Sequence, residues 1–266
     1  MTEGSLLREA SLLRDSPGDG VVLLRLNRPK RLNALDEELV GELLRTCAGL
    51  AADRGARVVV LTGAGRGFCS GIDLRDFGPG MLEATAPAID RLRFQETMAS
   101  LPQALRALPQ PVIAAVNGPA VGAGLALCLA SDVRIAGTSA SFGNAAIQLG
   151  LSGAEMGMSY YLPRIVGLSV AADWMLTGRT VGADEACRRG LVSELVDDER
   201  LLDRALELAA QIAAHSALGV QLTKRALQVN TDAPDLVAAL DVENRNQVLT
   251  HATDEAAAAR QRWAQG

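Results

Sequence analysis

Two stretches of this 266-residue chain place backbone amides where a ligand could reach them. The first is Gly67-Phe68-Cys69-Ser70-Gly71-Ile72-Asp73-Leu74. The second, Asn117-Gly118-Pro119-Ala120-Val121-Gly122-Ala123-Gly124, follows the apolar run Val112-Ile113-Ala114-Ala115-Val116. Glycines let the main chain approach a ligand closely, and the second stretch opens a helical pattern whose unpaired N–H groups and dipole favour developing negative charge. Together the two could form an oxyanion hole. They equally suit tight strand-to-helix connections with no chemistry, and residue types alone leave both readings standing. Other chemistries drop out. Neither loop has the G-x-x-x-x-G-K-[ST] order of a P-loop, the G-x-S-x-G of serine hydrolases or the G-x-G-x-x-G of dinucleotide folds. Cys47, Cys69, Cys128 and Cys187 are isolated, with no C-x-x-C and only His215 and His251 to assist, so neither a metal site nor a disulfide framework is expected. Cys69 borders the first loop without an identifiable His partner and reads as a small buried filler.

Each loop needs a strand to deliver it and a helix to receive it. Residues 21–26 (VVLLRL) read as a strand ending at Asn27-Arg28-Pro29. Asp36 then caps a helix with Leu39, Val40, Leu43 and Leu44 on one face. A second strand over 58–61 runs into Thr62-Gly63-Ala64-Gly65-Arg66-Gly67. A loop over 77–87 separates it from a helix over 88–108, and Pro111 precedes a third strand at 112–116. The glycine-rich turn leads to a helix at 125–130 and a fourth strand at 133–136. Strands that are continuous apolar runs alternating with helices predict an α/β fold with sheets covered by helices. Beyond Gly150 the pattern is helical over 162–177, 183–189, 201–214, 218–229 and 236–250, with one short strand near 192–196. This helical tail either closes over the core or pairs between subunits.

The composition bounds the rest. With 48% apolar residues and only four Phe, two Trp and two Tyr, the core is built from small and branched aliphatics, which excludes disorder and collagen-like repeats. A net charge of -5 with no basic block gives no nucleic-acid footprint. Residues 112–130 carry no charge, yet Asn117-Gly118-Pro119 and two glycines divide them, so a buried strand, a turn and a helix explain the run better than a membrane span. Isolated cysteines fit a reducing cytoplasm. The N-terminus, with Glu3, Arg8, Glu9, Arg14 and Asp15, lacks the apolar core of a signal peptide.

A set of short motifs resembles the enoyl-CoA hydratase/isomerase, or crotonase, superfamily. They are Asn27-Arg28-Pro29 with Leu32-Asn33-Ala34-Leu35, Val60-Leu61-Thr62-Gly63, Phe68 to Leu74, Pro111 to Gly118, Ala130-Ser131-Asp132, Phe142-Gly143, Leu162-Pro163-Arg164 and Leu176-Thr177-Gly178. They follow the family's order from about residue 20 to 200. The resemblance implies a crotonase-like (ClpP/crotonase) spiral of β-β-α turns, with residues 1–200 as an acyl-CoA-binding core and 201–266 as a helical region that builds a homotrimer or a dimer of trimers. It implies no tightly bound cofactor, coenzyme A entering as part of the substrate, and neither nucleic acid nor membrane as partner. Carried over by position, the resemblance implies that the amides of Ile72 and Ala123 hold the thioester oxygen. Each such donor is commonly worth ~10²–10³ in rate. Ser70, Ile72, Asp73 and Leu74 fall in the substrate-binding stretch, with Arg28, Arg31 and Arg75 as phosphate partners of the kind that guanidinium geometry suits.

The family's hydratases use two glutamates, one to activate water and one to protonate the α-carbon. Here those positions hold Ala126 and Ala146. One acid stands in the matching region, Glu155, where the resemblance to isomerase branches implies a catalytic acid/base. Glu155 also reads as a helix N-terminal charge favoured by the dipole. Flanked by Ala154, Met156 and Met158, its carboxylate is placed to lose water and gain a raised pKa. A 1,3-proton shift needs one carboxylate and an oxyanion hole, so a Δ3,Δ2-enoyl-CoA isomerase is expected. A hydratase with a different acid, a dienoyl-CoA isomerase, a hydrolase and a noncatalytic acyl-CoA-binding protein are the alternatives. Asp73 reads more readily as a loop cap than as that acid, His215 and His251 sit in the tail, and Tyr160-Tyr161 line the acyl tunnel or pack the core.

Overall fold

The apolar runs become parallel strands because helices cover both of their faces. The computed structural model describes residues 10–76 and 86–264. The N-terminal residues Glu3, Arg8 and Glu9 and the expected loop through residue 85 lie outside them. β1 (Leu12–Gly18) and β2 (Val21–Leu26) form an antiparallel hairpin. Parallel to β2 follow β3 (Val58–Gly63), β4 (Val112–Val116), β6 (Val133–Gly137) and β9 (Glu194–Val196), completing a six-stranded sheet. A smaller sheet carries β5 (Pro119–Val121), β7 (Ser141–Gly143) and β8 (Val181–Gly182) in that order. β4 is followed by β5, and β6 by β7, so successive turns of the chain give one strand to each sheet. Such a turn is completed by α3 (Ala123–Ala130).

Side-chain alternation divides the core. Val21, Leu23, Val58, Val60, Ile113 and Ala115 face α7 (Leu201–Ala213), meeting Leu201, Ala205 and Ala209. Val22, Leu24, Val59, Leu61, Ala114 and Val116 face the other way, into a cluster with α1 (Glu37–Ala52), α2 (Ala88–Ala107) and α3. A strand buried on both faces has no polar side to alternate with. α1 starts as its sequence dictates: the Asp36 carboxylate accepts the Leu39 N–H at 2.8 Å, and Leu39, Val40 and Leu43 are buried, while Leu44 is half-buried.

Several boundaries differ from expectation. The single helix expected over 162–177 is two, α4 (Met158–Val166) and α5 (Leu168–Thr177), because Gly167 between them adopts φ 84° and ψ 152°. The uncharged run 112–130 divides into β4, a turn, the unforeseen β5, and α3, which begins two residues earlier than expected. Among the described residues no helix is long and apolar enough to cross a membrane. The remaining α-helices among the described residues are α6 (Ala183–Arg188), α8 (Ala217–Asn230), α9 (Leu236–His251) and the unforeseen α10 (Asp254–Ala264). The expected division at residue 200 falls just before α7, which covers the large sheet. α8 is fastened to the core by Lys224, whose ammonium donates to Asp132 (2.7 Å) and to the Gln110 carbonyl (2.8 Å).

Candidate active site

The first glycine-rich loop is fixed before it reaches the site. Asn33, buried at φ 57°, donates to the carbonyls of Ala64 (2.9 Å) and Gly67 (2.7 Å), and Asn117 accepts the Gly63 N–H at 3.1 Å. Cys69 then pairs with β5, its N–H donating to Pro119 and its carbonyl accepting from Val121. Two residues on, the chain pairs on its other edge. Leu35 donates to the Gly71 carbonyl and accepts from the Asp73 N–H, both at 2.8 Å. In a parallel bridge of this kind Leu35 bonds to the residues flanking Ile72, so the Ile72 N–H points away from Leu35. Gly71, at φ +102°, makes the switch. A side chain there would begin 3.0 Å from the Val121 carbonyl oxygen and 3.8 Å from the Ala123 nitrogen.

The second loop meets the first at main-chain contact. Gly122, at φ 52° and ψ -119°, turns the chain out of β5 into α3, a conformation that side-chain-bearing residues rarely adopt. Its N–H donates to the Gly143 carbonyl at 3.0 Å, and its carbonyl accepts the Ala126 N–H. Ala123 therefore opens the helix with an N–H that has no intrahelical acceptor. Gly124 lies so close to the first loop that a Cβ would fall 2.0 Å from the Cys69 oxygen. The sequence-predicted amides of Ile72 and Ala123 are thus brought to one junction.

Glu155 arrives at the same junction from the opposite side of the chain. A side chain built on Gly122 would begin 3.8 Å from Glu155 Oε1 and 3.9 Å from the Gly71 Cα. Burial pushes the Glu155 carboxyl above the ordinary glutamate value, and desolvation is the cause. Among the described residues no hydrogen bond or ion pair reaches that carboxylate. Its direction is set by a tight turn in which the Met158 N–H donates to the Glu155 carbonyl at 2.8 Å and both central residues are left-handed, Met156 at φ 47° and Gly157 at φ 85°. For a buried methionine this conformation is strained by about 1 kcal/mol. Ala126, inside α3, and Ala146, at the start of a 3-10 turn (Ala146–Leu149), are both buried. Neither position offers a proton.

The other predicted residues are distributed around the rim. Arg28 is not a free guanidinium for a phosphate. It pairs with Asp36 (3.0 Å), Asp73 (3.0 Å) and Asp76 (2.6 Å) and donates to the Ala34 carbonyl, so it ties the first loop to the cap of α1. Asp73 is buried and caps its own loop, accepting the Arg75 N–H at 3.2 Å. Burial alone would raise its carboxyl, but the Arg75 amide, the Arg28 guanidinium and the Arg31 charge outweigh it and hold the group below the ordinary aspartate range. Ser70 donates to the Arg31 carbonyl at 3.2 Å, Ile72 is half-buried, and Arg31, Leu74 and Arg75 are exposed. Cys69 is fully buried, its thiol pushed up to about 12 by desolvation. Tyr160 turns outward to donate to Asp232, whereas Tyr161 packs against the core. His215 follows α7 and His251 ends α9.

Sequence reasoning passed over Asn144, a buried residue that donates to the Gly153 carbonyl and accepts the Ala146 N–H at 3.2 Å. Its one sequence signal is its place directly after Phe142-Gly143.

Comparison with known proteins gives the family. A family model described as "Enoyl-CoA hydratase/isomerase" matches residues 17–265. A probable enoyl-CoA hydratase echA12 of Mycobacterium leprae (strain TN) is 48% identical over 236 residues, covering 88% of this chain and 80% of the relative. Among solved structures, a probable enoyl-CoA hydratase/isomerase from Mycobacterium abscessus superposes with a TM-score of 0.86 at 41% identity, covering 95% of this chain and 96% of that one. A monofunctional enoyl CoA isomerase from M. smegmatis is 43% identical with a TM-score of 0.74, covering 87% of this chain and 99% of that one.

Proposed function

We propose that this chain, which belongs to the enoyl-CoA hydratase/isomerase family and has its crotonase-like fold, is an acyl-CoA enzyme of the Δ3,Δ2-enoyl-CoA isomerase type. The observation that carries the reading is that, among the described residues, one carboxylate raised by desolvation, Glu155, stands at the junction of two loops that present the Ile72 and Ala123 amides, with alanine at both hydratase glutamate positions. Glu155 takes a proton from C2 of a 3-enoyl thioester. The electron pair delocalises onto the thioester oxygen, where the two N–H groups stabilise the dienolate. The neutral Glu155 carboxyl then returns the proton at C4, and the double bond moves from C3–C4 to C2–C3. Burial suits the exchange because it narrows the gap between carboxyl and substrate acidity. The similarity to a monofunctional isomerase supports this chemistry.

The similarity to a probable hydratase favours a second reading, in which water adds across a 2-enoyl thioester and a further acid joins Glu155. Coenzyme A enters with the substrate, and the exposed Arg31 and Arg75, unlike Arg28, are left to meet its phosphates. Exposed apolar residues of the tail, Leu236, Val237, Val248 and Leu249, support a trimer or a dimer of trimers, and a monomer in light scattering would overturn that assignment.

The purified protein is offered 3-enoyl-CoA and 2-enoyl-CoA in parallel, and the products are followed. Conversion of the first to 2-enoyl-CoA is expected, with Glu155→Gln lowering kcat ~10²–10⁴-fold. Equal turnover by the variant would sink the role of Glu155, hydration of the second substrate alone would establish the hydratase reading, and tight binding of both without turnover would make the protein a noncatalytic acyl-CoA binder.

A further inference from the structure

We propose that Asn144 is a positioning residue that, with its neighbour Gly143, sets the distance between the Ala123 amide and the Glu155 carboxylate. The inference rests on the reading of Glu155 as the proton carrier. Gly143 ends β7, and its carbonyl accepts the Gly122 N–H at 3.0 Å, holding the turn that delivers Ala123. The next residue turns the other way. Asn144 Nδ2 donates to the carbonyl of Gly153, two residues before Glu155, and Oδ1 accepts the Ala146 N–H. Two consecutive residues at one strand end therefore hold the amide side and the carboxylate side of the site.

The tie is buried. Asn144 is 3% exposed, so water does not compete for its bonds. Gly153 is clamped as well: a Cβ there would lie 3.0 Å from the Met175 carbonyl oxygen and 3.2 Å from Asn144 Nδ2. Elsewhere this connection is tied by Gln148, whose side-chain amide donates to the Gly178 carbonyl at 2.7 Å, away from β7, and its other bonds are local. Leu151 donates to Ala146, Gly150 to Ile147, and the Ala154 N–H to Ser152 Oγ. Since no described residue grips the Glu155 carboxylate, its aim is inherited from the main chain, and among these bonds the Asn144 amide is what joins that main chain to β7. Misplacing a reacting group by about 1 Å can cost ~10²-fold in rate.

Asn144→Asp keeps the size and the acceptor but loses the donor, and Asn144→Ser shortens the side chain beyond reach of Gly153. Each variant is compared with wild type and Glu155→Gln for turnover of 3-enoyl-CoA, and the Glu155 carboxyl of the free protein is titrated by carbon NMR. Expected are a ~10- to 100-fold loss in kcat with KM within about 3-fold, and a Glu155 titration shifted down toward the ordinary glutamate range as the carboxylate gains water. A merely structural role would leave that titration in place. Folded variants with unchanged kcat and unchanged Glu155 titration overturn the proposal. If Glu155→Gln turns over normally, the proton-carrier reading fails instead, while the titration still reports whether Asn144 positions the carboxylate. Should neither variant fold, exchange of the Asn144 side-chain amide in the wild type decides: protection matching that of the Gly122 N–H is expected, and rapid exchange overturns the tie.

Discussion

The two sides of the site are held in opposite ways. On the amide side, Ile72 and Ala123 sit in a lattice of main-chain bonds, with bridges from Leu35 and Cys69, the Asn33 and Asn117 amides beneath, and Arg28 binding three carboxylates around the loop. On the carboxylate side, Glu155 rides a strained turn whose main chain is joined to β7 by the buried Asn144 amide. Oxyanion donors act through preorganisation, so redundancy there keeps them aimed where charge develops. In the proposed isomerisation, a carboxyl that takes a proton at one carbon and returns it two atoms away benefits from a side chain free to swing on a fixed main chain. Rigidity is concentrated where the reaction needs a fixed point.

This contrast can be broken most severely at Gly124. Gly124→Ala sets a Cβ against the Cys69 carbonyl, and we expect a loss of about 3 kcal/mol in stability as the loops are forced apart. Urea denaturation and turnover read the effect; a stable, fully active variant would mean that the amide side is not rigid. Arg28→Met should cost less, about 2 kcal/mol, by leaving the buried Asp73 without its guanidinium partner. The sign with pH follows from the lowered Asp73 carboxyl. Its contribution is present above the ordinary aspartate value and disappears as pH falls through the lowered one, so the variant should show a shallower acid loss than wild type. Parallel acid limbs in the two proteins would count against this. The smallest effect belongs to the carboxylate side. Because the Glu155 value is raised, the folded protein holds that proton more tightly than the unfolded chain, and stability falls as pH rises from the ordinary glutamate value through the raised one. Glu155→Gln removes that decline, so its thermal midpoint should gain on wild type between acid and neutral pH. Identical pH dependence would refute the desolvation of Glu155.

What could be read in the sequence follows the same contrast. β2 and β4 are legible because strands buried on both faces leave unbroken apolar runs, and α1 because Asp36 and its leucine stripe obey cap and period together. The paired glycine loops are legible because close approach excludes other residues. β1 is not: its pairing is carried by the main chain, and its LLRDSPG side chains are mostly exposed. β5, β7 and β8 are too short to establish a period. The break at Gly167 hides inside a pattern that remains helical on both sides. For Arg28, sequence cannot separate a phosphate partner from carboxylates 45 and 48 residues away. Asn144 leaves no signal beyond its place after Phe142-Gly143, because one buried amide serves two main-chain groups and repeats nowhere.

The Lys224 ammonium, finally, reaches across the molecule to a carbonyl 114 residues earlier in the chain. The Asp132 carboxylate it pairs with also accepts the N–H of Val112, the first residue of the strand leading to the second glycine loop. Chain order thereby bears on folding order. The start of this central strand acquires its last side-chain bonds only when the tail returns to it, a closure over a long loop whose entropy must be overcome before the contact stabilises anything. Loss of Lys224 should therefore act mainly on how fast the native state opens and closes, far from the atoms that react.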